Sequence, residues 1–159
     1  MGSERKILAR PDLIAQAQSW RAHGERIVLA NGCFDILHVG HIRYLQGAAA
    51  LGTRLVVGVN SDQSTRRLKG EARPILDERG RAALVAAVRG VAAVTIFDEL
   101  SVESVLRALR PDVHAKGTDY TAATVPEAAV ARELGVEVAI VGDPKEHSTK
   151  ALLARLQEN

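Results

Sequence analysis

Two histidines three residues apart, His38 and His41, close a run that begins Asn31-Gly32-Cys33-Phe34-Asp35 and passes through Gly40. At a helix entrance that spacing puts both imidazoles on one side, within reach of a single phosphate group. Imidazole donors there stabilise the charge that grows on a transferring phosphorus centre and on the oxygen bridging it to the leaving group. Gly32 lets the backbone turn tightly and leaves room for a ligand, and the amides of the following helix face anions. The same His-x-x-His pair is compatible with a structural role or with a metal. A metal site needs a third and a fourth ligand, however, and no nearby Cys or His supplies them in the required pattern.

Other residues with chemical capacity sit further along. Arg66, Arg67, Lys69 and Arg73 form a local positive cluster. Ser148 and Thr149 stand where a last helix should begin, so their hydroxyls and amides either grip phosphate or cap the helix. Asp35 is a carboxylate beside an expected anion site, which electrostatics disfavours unless it serves hydroxyls or a metal, or caps the next helix. Cys33 is the one cysteine, and no acid–base pair is arranged to activate it as a nucleophile.

Hydrophobic periodicity supplies the elements that must position these groups. Helices are expected over Pro11 to His23, Val39 to Ala50, Asp77 to Arg89, Ser101 to Leu109, Pro126 to Leu134 and Ser148 to Leu156. Strands are expected over Arg26 to Ala30, Arg54 to Asn60, Ala93 to Phe97, Asp112 to Lys116 and Val136 to Val141. Strands such as Arg54 to Asn60 alternate too little for a sheet edge, so both their faces should be covered. Alternation of strands and helices at these lengths predicts an α/β fold, a doubly wound, Rossmann-like parallel sheet of about five strands in a single domain over residues 1–159. Ligands bind beyond the carboxyl ends of such strands, which selects Asn31 to His41, Asn60 to Pro74, Lys116 to Tyr120 and Gly142 to Thr149. Ser61 to Leu76 has no clear periodicity and reads as a mobile loop.

Composition sets bounds. The chain has 159 residues, 47% hydrophobic and 25% charged, with a formal net charge of +2, which suits one soluble domain and implies no general nucleic-acid binding. No apolar run reaches the roughly 18 residues needed to span a bilayer, and no signal peptide is evident, so the expectation is a protein neither membrane-spanning nor exported. One unpaired cysteine makes a reducing, cytoplasmic setting the default.

Gly-Cys-Phe-Asp-Ile-Leu-His-Val-Gly-His resembles the signature of the cytidylyltransferase-like superfamily of nucleotidyltransferases. Val59-Asn60-Ser61-Asp62, Arg67-Leu68-Lys69-Gly70, Arg73-Pro74, Lys116-Gly117-Thr118-Asp119-Tyr120 and His147-Ser148-Thr149 follow in an order that is similar to the bacterial heptose 1-phosphate adenylyltransferases. The resemblance spans Ile27 to Leu156. It implies AMP transfer from ATP to D-glycero-β-D-manno-heptose 1-phosphate, giving ADP-heptose for lipopolysaccharide core synthesis, with pyrophosphate released and Mg2+ accompanying the ATP. In many bacteria such a unit is fused behind a sugar kinase; the length here reads as the stand-alone form.

The same resemblance implies roles. His38, His41 and Lys69 would be catalytic, Lys69 on the α-phosphate, although surface lysines are ordinarily just solvated. Asn31, Gly32, Cys33, Phe34, Lys116, Gly117, Asp119, Gly142, Ser148 and Thr149 would bind the nucleotide. Asp35 would take heptose hydroxyls, with Arg67 and Arg73 on phosphate. Arg81 is a further phosphate candidate, but similar sequences carry Glu-x-Arg here, and Arg79 stands at the Glu position. Thr118 replaces a family glycine, and Lys150 follows Ser-Thr in place of a second Thr. No metal ligands are assigned. Enzymes of this size commonly pair with a second subunit, so a homodimer is an expectation.

Two alternatives remain. A cytidylyltransferase acting on glycerol 3-phosphate or a similar alcohol would tend to carry Arg-Thr-x-Gly-Ile-Ser-Thr-Thr before the last helix, and Gly142 to Thr149 lacks that arginine. A non-catalytic adenine-nucleotide-binding module would need the glycines and the helix entrance, but not both histidines and Lys69.

Overall fold

Five parallel strands, β1 (Ile27–Gly32), β2 (Arg54–Asn60), β3 (Val91–Phe97), β4 (Val113–Lys116) and β5 (Glu137–Ile140), form one sheet in the order β3-β2-β1-β4-β5. The structure is a computed structural model that describes residues 2–144 and 148–158; His147, one of the motif residues, lies outside the described residues. Helices α1 (Arg10–Ala22), α2 (Val39–Ala49), α3 (Asp62–Lys69), α4 (Glu78–Ala86), α5 (Glu103–Leu109), α6 (Ala128–Leu134) and α7 (Thr149–Gln157) are interspersed with the strands, α3 and α4 both lying between β2 and β3.

The strands carry apolar residues on both faces because each face has its own helical layer. Val28, Ala30, Leu55, Val57 and Val59 pack with Leu45 and Ala48 of α2 and Ala82, Val85 and Ala86 of α4. Ile27, Leu29 and Val56 pack with Leu13 and Ala17 of α1, Leu106 and Leu109 of α5 and Ala131 of α6. Odd and even residues of β1 thus serve opposite cores, as the two-residue side-chain period requires. Gly52 fits its turn because a Cβ there would lie 2.7 Å from the Arg26 carbonyl oxygen.

The chain runs outward from β1 to β2 and β3, then returns to the other side of β1 for β4 and β5. This reversal makes the β1/β4 boundary the switch point, where a crevice opens at the carboxyl ends. Every element expected from periodicity is present within a few residues. The exception is Ser61 to Leu76, whose first half is helix α3. Its sequence Asp-Gln-Ser-Thr-Arg-Arg-Leu-Lys lacks an apolar stripe; it is anchored by Ser61, which accepts a bond from the Ser64 amide, and by burial of Ser64 and Thr65. Small hydroxyls take the buried face opposite Arg66, Arg67 and Lys69, so the helix is amphipathic in polarity but carries no stripe of large apolar residues for sequence reading to follow.

Candidate active site

A cleft of about 880 Å³ opens over the carboxyl ends of the strands, lined by residues of the Asn31–His41 run together with Lys69, Arg73, Lys116 to Tyr120, Gly142, Ser148 and Thr149. All the sequence-assigned site residues but Arg67 and the further candidate Arg81 therefore meet in one place. Arg67 donates instead to the Asp98 carbonyl, 2.6 Å away, and does not line the cleft.

The two imidazoles form the entrance of α2. His38 is the N-cap, and its Nδ1 accepts from the Gly40 amide at 3.1 Å; His41 Nδ1 accepts from the His38 amide at 3.3 Å. This is a capping box built from histidines, in which each ring satisfies one amide of the first turn. An Nδ1 that accepts a backbone hydrogen leaves the ring proton on Nε2. Both rings thereby become Nε2–H donors, stacked with centroids 3.8 Å apart. The Phe34 ring meets His41 edge-on at 5.4 Å and fixes its plane. His38, not Asp35, is thus the cap of this helix.

The backbone before the helix is bent unusually. Phe34 and Ile36 have φ of 51° and 52°, left-handed values that are costly for an aromatic and especially for a β-branched residue. Gly32 is needed for a reason other than ligand space: a Cβ there would lie 3.2 Å from the Phe34 ring, which fills that position itself.

Asp35, between the two strained residues, has a fully buried side chain. Its carboxylate accepts from Arg73 Nε at 2.7 Å and from the amides of Ile75 and Leu76 at 2.8 and 3.0 Å. Burial pushes its pKa up, but the two amides and the guanidinium outweigh this and hold it below the usual carboxylate value. Asp35 and Arg73 are hence committed to each other, and the segment after α3 is tethered to the motif loop. Lys69, the last residue of α3, is exposed and faces the cleft, and Gly70 follows at φ 102°.

Arg81 is a correction to the phosphate-contact expectation. Its side chain is fully buried under the floor and donates to the carbonyls of Cys33 (2.7 Å), Asn60 (2.7 Å) and Leu76 (2.9 Å), and to the Asp62 carboxylate (2.9 Å). It ties the ends of β1 and β2 to α3 and the return segment. Glu78, one residue before Arg79, bonds the Asp62 amide at 2.7 Å.

On the other wall Lys116 ends β4, with its Nζ 3.7 Å from Glu127 Oε2 and 4.7 Å from the Tyr120 ring centroid. Burial lowers the Lys116 pKa and the Glu127 charge partly opposes that. Thr118, the departure from the family glycine, donates to the Asp143 carbonyl at 2.8 Å and joins the two wall segments. Thr149 donates to the Asp35 carbonyl at 2.6 Å and Ser148 Oγ caps α7 by accepting from the Ala151 amide. Both hydroxyls thus hold α7 in place while the helix entrance lines the cleft.

Sequence reasoning missed Tyr44, His114 and Glu127. Tyr44 donates to the Ala115 carbonyl at 2.6 Å and accepts from the Asn31 amide, joining α2 to β1 and β4; burial drives its phenol pKa well up. His114, fully buried in β4, has Nε2 2.9 Å from Asn31 Oδ1. The only signal for Tyr44 was the rarity of tyrosine, two in the chain; His114 and Glu127 carried none.

A helix entrance capped by two imidazoles at the switch point of a parallel sheet is the kind of place where an α/β enzyme takes the phosphates of a nucleotide. The model of the cytidylyltransferase-like family matches residues 29–153, and the chain belongs to that family of nucleotidyltransferases. The bifunctional protein HldE of Methylobacillus flagellatus is 44% identical over 151 residues, covering 95% of this chain and 31% of that protein. That of Rhodopseudomonas palustris is 46% identical over 158 residues, covering 99% and 32%. The chain therefore spans about a third of the length of the curated relatives it matches. A solved lipopolysaccharide core biosynthesis protein from Thermoplasma volcanium superposes with a TM-score of 0.65 at 32% identity, covering 77% of this chain and all of that one. Among the described residues, no helix is long and apolar enough to cross a membrane.

Proposed function

We propose that the chain transfers AMP from ATP to D-glycero-β-D-manno-heptose 1-phosphate, releasing pyrophosphate and forming ADP-heptose. The observation that carries this is the stacked pair of capping imidazoles, whose Nδ1 atoms accept from backbone amides so that each ring holds its proton on Nε2, the tautomer suited to donating to phosphate. Support for the sugar comes from the ordered motif set and from similarity to a lipopolysaccharide core biosynthesis protein.

An oxygen of the sugar phosphate attacks the α-phosphorus of ATP in line, its electron pair forms the new P–O bond, and the bond to the bridging oxygen breaks with pyrophosphate leaving. The nucleophile is already an anion, so no general base is required and catalysis consists of positioning and charge stabilisation. His38 and His41 donate to the phosphates across the breaking bond. Lys69 brings a positive charge to the α-phosphate. The amides of Cys33 and Phe34 and the entrance of α7 take the remaining phosphate oxygens, while Lys116, Gly117, Asp119 and Gly142 wall the adenine.

No three His, Cys, Asp or Glu side chains among the described residues gather into a metal site, and the Asp35 carboxylate already accepts three hydrogen bonds. The cation expected with the ATP substrate is magnesium, which prefers phosphate oxygens and water to a full protein cage and would supply charge neutralisation on the pyrophosphate. A cytoplasmic homodimer is the setting proposed for the enzyme.

The test is pyrophosphate release from Mg-ATP or Mg-CTP with heptose 1-phosphate or glycerol 3-phosphate. Turnover with ATP and the heptose phosphate is expected. Turnover confined to CTP and glycerol 3-phosphate would reassign the enzyme to the cytidylyl branch.

A further inference from the structure

A fully buried histidine inside a parallel strand calls for a reason. His114 lies between Val113 and Ala115 of β4, beside Leu29 of β1, and its Nδ1 has no hydrogen-bond partner. A leucine would fill that site without burying an unmatched polar atom, so packing alone does not favour the imidazole. What the ring adds is one N–H. A neutral imidazole keeps its single proton where an acceptor exists, and the acceptor is Asn31 Oδ1, 2.9 Å from Nε2. Burial keeps the ring neutral, with a pKa pushed down to about 3.

Asn31 lines the cleft near the end of β1, opposite Gly58 of β2. With its Oδ1 engaged by His114, the carboxamide has one orientation, and Nδ2–H2 is the other polar group of a side chain whose residue lines the cleft. An unconstrained asparagine could present either its oxygen or its nitrogen; an oxygen turned toward a triphosphate would repel it.

We propose that His114 is a positioning residue that, through Asn31 Oδ1, fixes the Asn31 amide nitrogen as a hydrogen-bond donor to a phosphoryl oxygen of the bound nucleotide. The inference deepens the nucleotidyl-transfer reading and rests on it for the identity of the ligand.

The experiment is a double-mutant cycle of His114→Leu and Asn31→Ala, read by calorimetric binding of magnesium α,β-methylene-ATP and by pyrophosphate release. His114→Leu is expected to weaken analogue binding roughly tenfold, to do so by no more than about twofold in the Asn31→Ala background, and to be rescued in large part by His114→Gln, whose amide donates to the same oxygen. Equal losses in both backgrounds, or wild-type binding in His114→Leu, would overturn the assignment; should the Leu variant not fold, His114→Met takes its place in the cycle. If wild-type protein binds the analogue and the cycle behaves as stated, but heptose 1-phosphate gives no turnover, the substrate reading fails and the His114 assignment stands. No binding by the wild type overturns both.

Discussion

The Arg73 guanidinium meets the Asp35 carboxylate at 2.7 Å, and this buried pair holds the segment after α3 against the loop that leads to the two histidines. Removing the carboxylate strands a cation and the amides of Ile75 and Leu76. Asp35→Ala should therefore cost on the order of 3 kcal/mol in urea unfolding. Because the folded pKa of Asp35 is depressed, its stabilisation is present above the ordinary value of 3.8 and is lost as the pH falls below it. Unchanged stability of the variant at neutral pH would show that the tether is weak.

Arg81 is the cation on which the floor rests. Arg81→Met leaves the carbonyls of Cys33, Asn60 and Leu76 without their donor and should lower stability by about 3–5 kcal/mol. Arg81→Lys should recover little, since one ammonium cannot reproduce the fork that reaches three carbonyls and Asp62. Denaturant midpoints compare the three proteins, and a lysine variant as stable as wild type would contradict the fork.

His114 should make the fold acid-sensitive in a defined window. An unfolded chain takes up a proton on this ring near pH 6.5, whereas the folded chain resists until about pH 3. Between those values the unfolded state binds the extra proton, so each pH unit of acidification costs about 1.4 kcal/mol. Unfolding free energies of wild type and His114→Leu, measured from pH 7 to 4, should diverge in slope by that amount. Parallel curves would mean that the ring titrates normally in the fold.

Lys69 sits exposed at the end of α3 and is assigned to charge that develops during transfer. Lys69→Ala should reduce kcat by about 100-fold or more while nucleotide affinity changes only a few-fold. A loss carried entirely by KM would make it a ground-state contact.

Much of the site was legible because its chemistry sits at strand ends and helix entrances, where residue type and position coincide. The strand-to-helix placement of His38 and His41 follows from periodicity on either side. What periodicity did not carry was polar packing. Helix α3 is held by Ser61, Ser64 and Thr65 rather than by an apolar face. Arg81 reads as a phosphate candidate in sequence, yet its length lets it gather carbonyls from three separate segments. His114 and Glu127 acquire partners, Asn31 and Lys116, only across the fold, at separations that no local pattern encodes. Gly32 was read as a tight turn with room for a ligand; it lines the cleft, and the group a Cβ there would meet is the Phe34 ring, a contact no sequence pattern encodes.

The central claim is that the two Nε2–H imidazoles at the α2 entrance stabilise nucleotidyl transfer. Pyrophosphate release from Mg-ATP with heptose 1-phosphate, compared between wild type and His41→Ala of matched circular dichroism, tests it most directly. The account predicts a fall in kcat of about 100-fold or more; turnover by His41→Ala within a few-fold of wild type would contradict it.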